Sequence, residues 1–383
     1  MVDFSLTAEQ LALRELAHEF AVKEIRPVAA ELDRESTFPA AIVEKAHGLG
    51  LMNTRAPERF GGPGLSLLDE VLISEELAWG CAGVQTTVGC NDLASIPVAL
   101  GGSDEVRTEF FGELAEEPKL ASFCLTEPQA GSDVGALRTR AVDSGGKYVL
   151  SGSKSFITNA EQAEFFVVFA KTDDAAGHKG ISVFLVRRDD TVVVDRKEDK
   201  LGHRAASTSP VTFNETEIDA KYLLGELGGG FKLAMQTLDR SRPGVAAIAV
   251  GIARAAMEHA TAYASEREQF GQPIAANQAI QFMLADMATK VHLSRLAAWN
   301  SAVLIDQGKP NTAESAHAKR FAADSAMEVA TDAVQVFGGY GYMKDYPVEK
   351  LLRDAKLLQI YEGTSQIQRL VIAREMLTRE KSA

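Results

Sequence analysis

EEPKLASFCLTEPQAGSDVG, residues 116–135, marks the point where the chain changes character. Before it, apolar residues recur at helical spacing. After Pro118 they gather into short β-rich runs, KLASFCL (119–125), KYVLSG (147–152), FFVVFAK (165–171) and ISVFLV (181–186), separated by Gly, Asp and Ser clusters. Runs of this length bounded by turn residues predict a β domain that reaches to about residue 225.

Upstream of that change, Thr7 with Gln10 forms a capping-box pattern ahead of Leu11, Leu13, Leu16, Phe20 and Val22, which predicts an opening helix. Ser66 and Ser103 are N-cap candidates for further helices, and FGGPGLS (60–66) supplies the loop before the first of these. Downstream, long helical patterns return at Phe231, broken at FGQP (270–273), at residues 308–310 and at FGGYGYMKDYP (337–347). The expected fold class is α+β: an all-α domain over residues 1–118, a middle β domain over 119–228 and a helical bundle over 229–383. A small β domain between two helical ones leaves crevices at its boundaries, where cofactor sites tend to form.

Composition narrows the function. A chain of 383 residues with 46% hydrophobic content can fill a sizeable core. A net charge of −13 without a basic run argues against a nucleic-acid surface, since phosphate binding rewards clustered Lys and Arg. Cys81, Cys90 and Cys124 have neither an even count nor C-x-x-C spacing, which fits a reducing compartment. The histidines carry no ligand spacing, so no metal is expected. MVDFSLTAEQLALRE has the pattern of neither a signal nor a transit peptide, and a cytoplasmic location is expected. The most apolar stretch, residues 245–253, is far shorter than the ~20 residues a membrane span needs and reads as a buried helix.

Several catalytic patterns are missing: there is no G-x-x-x-x-G-K-[ST], and Gly48-Leu-Gly50 lacks the third glycine of a dinucleotide-binding turn. Residues 151–154 match S-x-x-K but stand in a β-rich run without S-D-N and K-T-G partners, and read as polar residues at a strand end. TEPQAGSDVG (126–135) leaves a strand and concentrates hydroxyls and backbone N–H donors, as a ligand loop or a solvated Ω-loop would. SKSFITN (153–159) sets Phe156 near Thr158; an aromatic beside a hydroxyl suits a flat polar ring, while the pattern alone reads as a half-buried strand. IYEGTSQIQRL (360–370) places Glu362 before a helix capped by Thr364 or Ser365. Apolar neighbours would turn that carboxylate into a base, and otherwise it is a favourable charge at a helix N-terminus.

Taken together with EELAWGCAGVQT (75–86), LDRSRPGVAA (238–247), YASEREQFGQPI (263–274), QFMLADMA (281–288), TDAVQVFGGYG (331–341) and YPVEKLLRDAK (346–356), these segments resemble the acyl-CoA dehydrogenase family over essentially the whole chain, most of all its medium-chain members. The resemblance implies a helical domain, a β domain and a four-helix bundle, with FAD held non-covalently in a homotetramer built as a dimer of dimers. It implies oxidation of an acyl-CoA to its trans-2-enoyl-CoA with Glu362 as base, and transfer of the electrons to an electron-transfer flavoprotein. By the same resemblance the flavin lies against Phe123, Leu125, Thr126, Gly131 and Ser132, with Thr126 bonding the ring, and against Phe156, Ile157 and Thr158. The cofactor tail would meet Arg267, Gln269, Phe270, Gln335, Val336, Gly338 and Gly339 of a neighbouring subunit, with Asn277 and Gln278 close by, and Thr364 and Gln366 would complete the contacts. Ser132, Asp239 and Arg242 would hold the CoA portion, Gly89 would stand at the far end of the acyl pocket, and Tyr361, Gly363 and Gln85 would also bind the substrate.

Three positions depart from the family pattern. Phe156 stands where the family usually has Trp, and Gly89 where a medium-chain enzyme carries Glu, which would deepen the acyl pocket. Ser241 occupies the place from which branched- and long-chain relatives supply their base, so that role stays with Glu362. Two other functions share the fold: an acyl-CoA oxidase, usually longer than a chain that stops at Ala383, and a non-catalytic DNA-associated alkylation-response relative, which needs a basic surface.

Overall fold

The computed structural model describes residues 4–380. Its N-terminal part is helical: α1 (Ala8–Phe20), α2 (Ala29–Glu35), α3 (Ala40–Gly48), α4 (Leu67–Gly101) and α5 (Asp104–Glu116). Thr7 caps α1 through the expected reciprocal pair with Gln10, and Ser66 and Ser103 cap α4 and α5. α4 is interrupted at Cys81, whose φ of −165° and ψ of 118° set its two halves at an angle. Both halves are buried along most of their length, so this helix spans the core and brings residues from its two halves to one place.

The middle part is a sheet of eight strands, β1 (Leu120–Cys124), β2 (Arg140–Asp143), β3 (Lys147–Thr158), β4 (Ala163–Lys171), β5 (Ile181–Arg187), β6 (Val192–Val194), β7 (Thr208–Asp219) and β8 (Leu223–Leu224). They are ordered β6-β7-β3-β2-β4-β5-β8, with β1 parallel to β4. Residues 151–154 lie inside β3, not at its end, because β3 continues to Thr158 in antiparallel register with β7. β4 and β5 are nearly unbroken apolar runs because both of their faces are covered, one by α5 and the other by the rest of the sheet.

Helices return with α6 (Gly230–Glu266); a two-stranded hairpin, β9 (Glu268–Gln269) and β10 (Gln272–Pro273), then occupies the FGQP break. α7 (Gln278–Asp306), α8 (Thr312–Phe337), α9 (Val348–Leu358) and α10 (Ser365–Glu380) complete the bundle. Residues 245–253 are buried throughout within α6, packed on α4, and no described helix is long and apolar enough to cross a membrane. Cys81, Cys90 and Cys124 are free and buried.

Candidate active site

Glu362 sits in the short turn between α9 and α10. It has a φ of +52°, followed by +87° at Gly363, two successive residues in the left-handed region. Glycine takes that conformation freely, whereas a non-glycine residue there costs of order 1–3 kcal/mol and persists only where its surroundings over-determine it. Here the surroundings are Lys319 on α8, whose Nζ donates to the Gly363 carbonyl at 2.7 Å, and Gln368, whose Nε2 donates to the same oxygen at 2.9 Å and to the Glu362 carbonyl at 3.3 Å. Thr364 is the helix cap, its Oγ1 accepting from Ile367 N at 3.1 Å, while Ser365 donates to Asp324 instead. The turn thus aims one carboxylate inward.

Glu362 Oε2 accepts a hydrogen bond from Ser241 Oγ on α6 at 2.5 Å. Burial raises the carboxyl above its ordinary range; the Ser241 hydroxyl and the Lys319 and Arg242 cations oppose the shift without cancelling it. Burial also pulls Lys319 down to about 8. The Glu362 backbone N–H has no acceptor among the described residues, which leaves a donor beside the carboxylate for an incoming oxygen.

Neither Lys319 nor the Ser241 contact was foreseen from the sequence. Lys319 had one readable signal: it stands in a stripe of buried alanines, Ala316, Ala322, Ala323 and Ala326, where a charge must have a partner.

Of the residues expected to hold the CoA portion, Asp239 and Arg242 turn toward each other, with Arg242 Nη1 donating to Asp239 Oδ1 at 2.7 Å. Thr312 donates to the other Asp239 oxygen at 2.6 Å. Arg242 is 4% exposed, and its guanidinium lies 3.7 Å from where a Cβ on Gly363 would be. The Arg242 side chain packs inward against the Glu362–Gly363 turn, where desolvation leaves its cation dependent on Asp239. Ser132 is exposed. Gln85 is buried and donates to Ser74 Oγ at 2.9 Å, and a Cβ on Gly89 would fall 2.9 Å from its amide nitrogen. Tyr361 packs edge-on against the His203 ring.

In the β domain, Ser155 N donates to the Thr126 carbonyl at 2.9 Å and Ser122 Oγ to the Thr158 carbonyl at 2.7 Å. Those bonds lay residues 123–132 beside 156–158. Phe156 has a φ of +59° and is 66% exposed, an aromatic side chain that the described residues leave largely uncovered. Thr126 and Thr158 are half-buried, and a Cβ on Gly131 would meet no atom within 4 Å. Ile157 and Leu125 point the other way, into the core, so the strand alternation leaves only their backbone at this surface. Phe123 packs edge-on against Phe169.

The loop after β1 is pinned by a buried ion pair: Lys154 Nζ, wholly buried, donates to Glu127 Oε1 at 2.7 Å and to the carbonyls of Phe169 (2.7 Å) and Leu125 (3.2 Å). Glu127 also accepts the N–H groups of Arg138 (2.6 Å) and Thr139 (3.0 Å).

Residues 267–278 and 335–340 meet on one exposed surface. Arg267 lies over the Tyr340 ring, and Phe270, at the tip of the β9–β10 hairpin with a φ of +54°, is fully exposed. Gln269, Asn277, Gln278, Gln335, Gly338, Gly339 and Gln366 are exposed and Thr364 is half-buried, whereas Val336 is 4% exposed and belongs to the bundle core.

Three family models match the chain: acyl-CoA dehydrogenase, N-terminal domain over residues 7–118, middle domain over 122–216 and C-terminal domain over 228–377. The chain is 44% identical over 372 residues to the mitochondrial short-chain specific acyl-CoA dehydrogenase of Bos taurus, covering 97% of this chain and 90% of that one. Among solved structures, butyryl-CoA dehydrogenase from Megasphaera elsdenii superposes with a TM-score of 0.96 at 40% identity, covering 98% of this chain and 100% of that one. A chain from work on the electron transferring flavoprotein of Acidaminococcus fermentans and flavin-based electron bifurcation matches with a TM-score of 0.96 at 43% identity, covering 98% of this chain and 100% of that one. The chain belongs to the acyl-CoA dehydrogenase family, a family of oxidoreductases. Two of these relatives are short-chain or butyryl enzymes, so they lend no support to the likeness to medium-chain members.

Proposed function

We propose that this protein oxidises a short acyl-CoA to its trans-2-enoyl-CoA, with Glu362 as the base and electron-transfer flavoprotein as the acceptor. The observation that carries the reading is the strained turn that aims a burial-shifted Glu362 carboxylate inward beside its own unpartnered N–H. The residues present suit FAD: a largely uncovered Phe156 side chain flanked by the Thr126 and Thr158 hydroxyls, open backbone at Gly131, and a separate exposed Arg267–Phe270 surface able to meet the diphosphate of a neighbouring subunit's cofactor. FAD, when bound, supplies the acceptor for an electron pair.

The chain's own part follows from acid–base chemistry. A thioester α-hydrogen is a weak acid, so its removal needs donors at the carbonyl oxygen, and the Glu362 N–H is one. The proton passes to the Glu362 carboxylate, the β-hydrogen departs with its electron pair, and a trans α,β double bond remains. The raised proton affinity of Glu362 makes it a stronger base than an exposed carboxylate. A homotetramer, a cytoplasmic location and the division at residues 118 and 228 belong to the same reading.

The protein as purified should be yellow, and anaerobic addition of butyryl-CoA should bleach its flavin absorbance. A colourless protein that fails to take up FAD, or one that no acyl-CoA bleaches, would end the assignment. Hydrogen peroxide released in stoichiometric amounts would favour the oxidase.

Ser241→Ala tests the electrostatics. The base works only when ionised, so the rate rises with pH through the Glu362 pKa. The Ser241 hydrogen bond lowers that pKa, and its loss should move the acid limb of the bleaching-rate profile to higher pH, with the two proteins converging at alkaline pH. An acid limb that stays in place would show that the hydroxyl does not bond the working carboxylate.

A further inference from the structure

Beyond Glu362, a second group of charges lies in the same region and takes no part in the chemistry above. Glu70, in the first half of α4, points at α6 one turn beyond Ser241: a Cβ on Gly244 would lie 3.0 Å from Glu70 Oε1, so glycine at that position leaves the carboxylate uncovered. Arg55 approaches Glu70 from the loop after α3, Nε to Oε2, at only 3.9 Å. Its backbone N–H makes a long bond of 3.4 Å to Asp92 Oδ1 on the second half of α4, and its Nη1 is buried without a partner. That loop is held on α4 by Asn91 Nδ2, which donates to Asn53 Oδ1 at 2.8 Å. Between the two halves of α4 stands Gln85, 4% exposed, bonded to Ser74 one turn from Glu70; its Oε1 is buried and unpartnered.

A tighter ion pair lies nearby. On the same helix, Glu75 meets Arg295 through two bonds of 2.9 and 2.7 Å, the bidentate geometry expected when a pair exists to satisfy itself. The Arg55 group instead leaves a guanidinium nitrogen and an amide oxygen unsatisfied, at a cost that a ligand would relieve. Burial raises the proton affinity of both Glu70 and Asp92, so the pair also holds protons readily.

We infer that Arg55, Glu70 and Asp92 form a polar floor to the acyl pocket, and that the preferred substrate is an acyl-CoA bearing a hydroxyl toward the far end of its acyl chain. A hydroxyl accepts from the Arg55 guanidinium and donates to a carboxylate in one group, and it adds no net charge to a cluster in which Glu70, raised to about 8, keeps its proton at neutral pH and leaves one cation facing one carboxylate. A plain alkyl end would leave these groups unsatisfied after displacing their water, which a site built for hydrogen bonding discriminates against. The inference rests on the acyl-CoA dehydrogenase reading of the Glu362 site.

The test is a matched six-carbon set, hexanoyl-, 6-hydroxyhexanoyl-, 6-aminohexanoyl-CoA and the mono-CoA ester of hexanedioic acid, repeated with the eight-carbon set, on the FAD-loaded enzyme. The hydroxyacyl-CoA should exceed its alkyl counterpart in kcat/KM by about tenfold or more in at least one set, as expected for hydrogen bonds to charged groups. In the Arg55→Met/Glu70→Leu variant that ratio should fall toward one. An alkyl preference in both sets, or a stronger preference for the amino or carboxy end, overturns the inference even if the variant proves unstable. Failure of every acyl-CoA to bleach the flavin instead overturns the reading on which it rests.

Discussion

Glu362→Gln is expected to keep the fold, the FAD and acyl-CoA binding while flavin bleaching all but stops. The amide matches the carboxylate in shape and can donate to Ser241 Oγ, which in turn keeps its weaker bond to the Leu238 carbonyl, so the turn retains its contacts. What is lost is the proton acceptor. Removing a general base typically costs about 10²–10⁴-fold, and the loss should lie at the upper end or beyond, because the β-hydrogen cannot leave with its electrons unless the α-proton also leaves. The side chain at position 241 reaches the same space from α6, 2.5 Å from the carboxylate, so Ser241→Glu added to Glu362→Gln should restore part of the rate. Stopped-flow absorbance with butyryl-CoA reads both variants, and near-normal bleaching by Glu362→Gln alone would exclude Glu362 as the base.

The largest effect on stability is expected from Lys154→Met. The methionine fills most of the volume but leaves Glu127 charged and buried, and breaking one side of a buried pair costs about 3–5 kcal/mol. For a domain of this size that is a fall in melting temperature on the order of 10 °C. Burial works to raise Glu127, yet Lys154 and the backbone donors hold it down at about 2, well below its ordinary 4.5. In the parent protein the Glu127 contribution is therefore fully present above about pH 4.5 and fades as pH falls toward about 2, while on the alkaline side the pair is lost when Lys154, whose proton affinity burial lowers, gives up its proton. Without Lys154 the carboxyl pKa rises, its penalty disappears as acid protonates it, and the gap between variant and parent should narrow below pH 5 or so. Adding Glu127→Gln should recover part of the loss at neutral pH. An unchanged melting temperature, or a gap that widens in acid, would remove the pair from the forces that hold the loop.

Much of the site was visible as segments and little of it as contacts. The Glu362 turn, the loop after β1 and the strand end at Phe156 all stand out by composition, because loops that carry ligands gather glycine, hydroxyls and aromatics in short spans. What joins them is spread along the chain: Ser241 and Glu362 are separated by 121 positions, Lys319 and Gly363 by 44, and Lys154 and Glu127 by 27. The SxxK run illustrates the gap. Its lysine read as a polar strand-end residue, yet extension of β3 to Thr158 carries Lys154 into the core, where desolvation obliges it to find a carboxylate.

By itself the sequence determined the features that depend on neighbours within a turn or two: the caps at Thr7, Ser66 and Ser103, the shift from helical spacing to short β-rich runs after Pro118, and the return to helices at α6. Those are short-range choices, settled by backbone hydrogen bonding and by which face is apolar. Only the tertiary structure decided that α4 bends at Cys81, that Arg242 turns inward, that Ser241 bonds Glu362, and that the half-buried Arg55 and Glu70 meet the buried Asp92. The physical reason is that proton affinities and ion pairs depend on how far water is excluded, and that exclusion arises only when distant segments close around the same point.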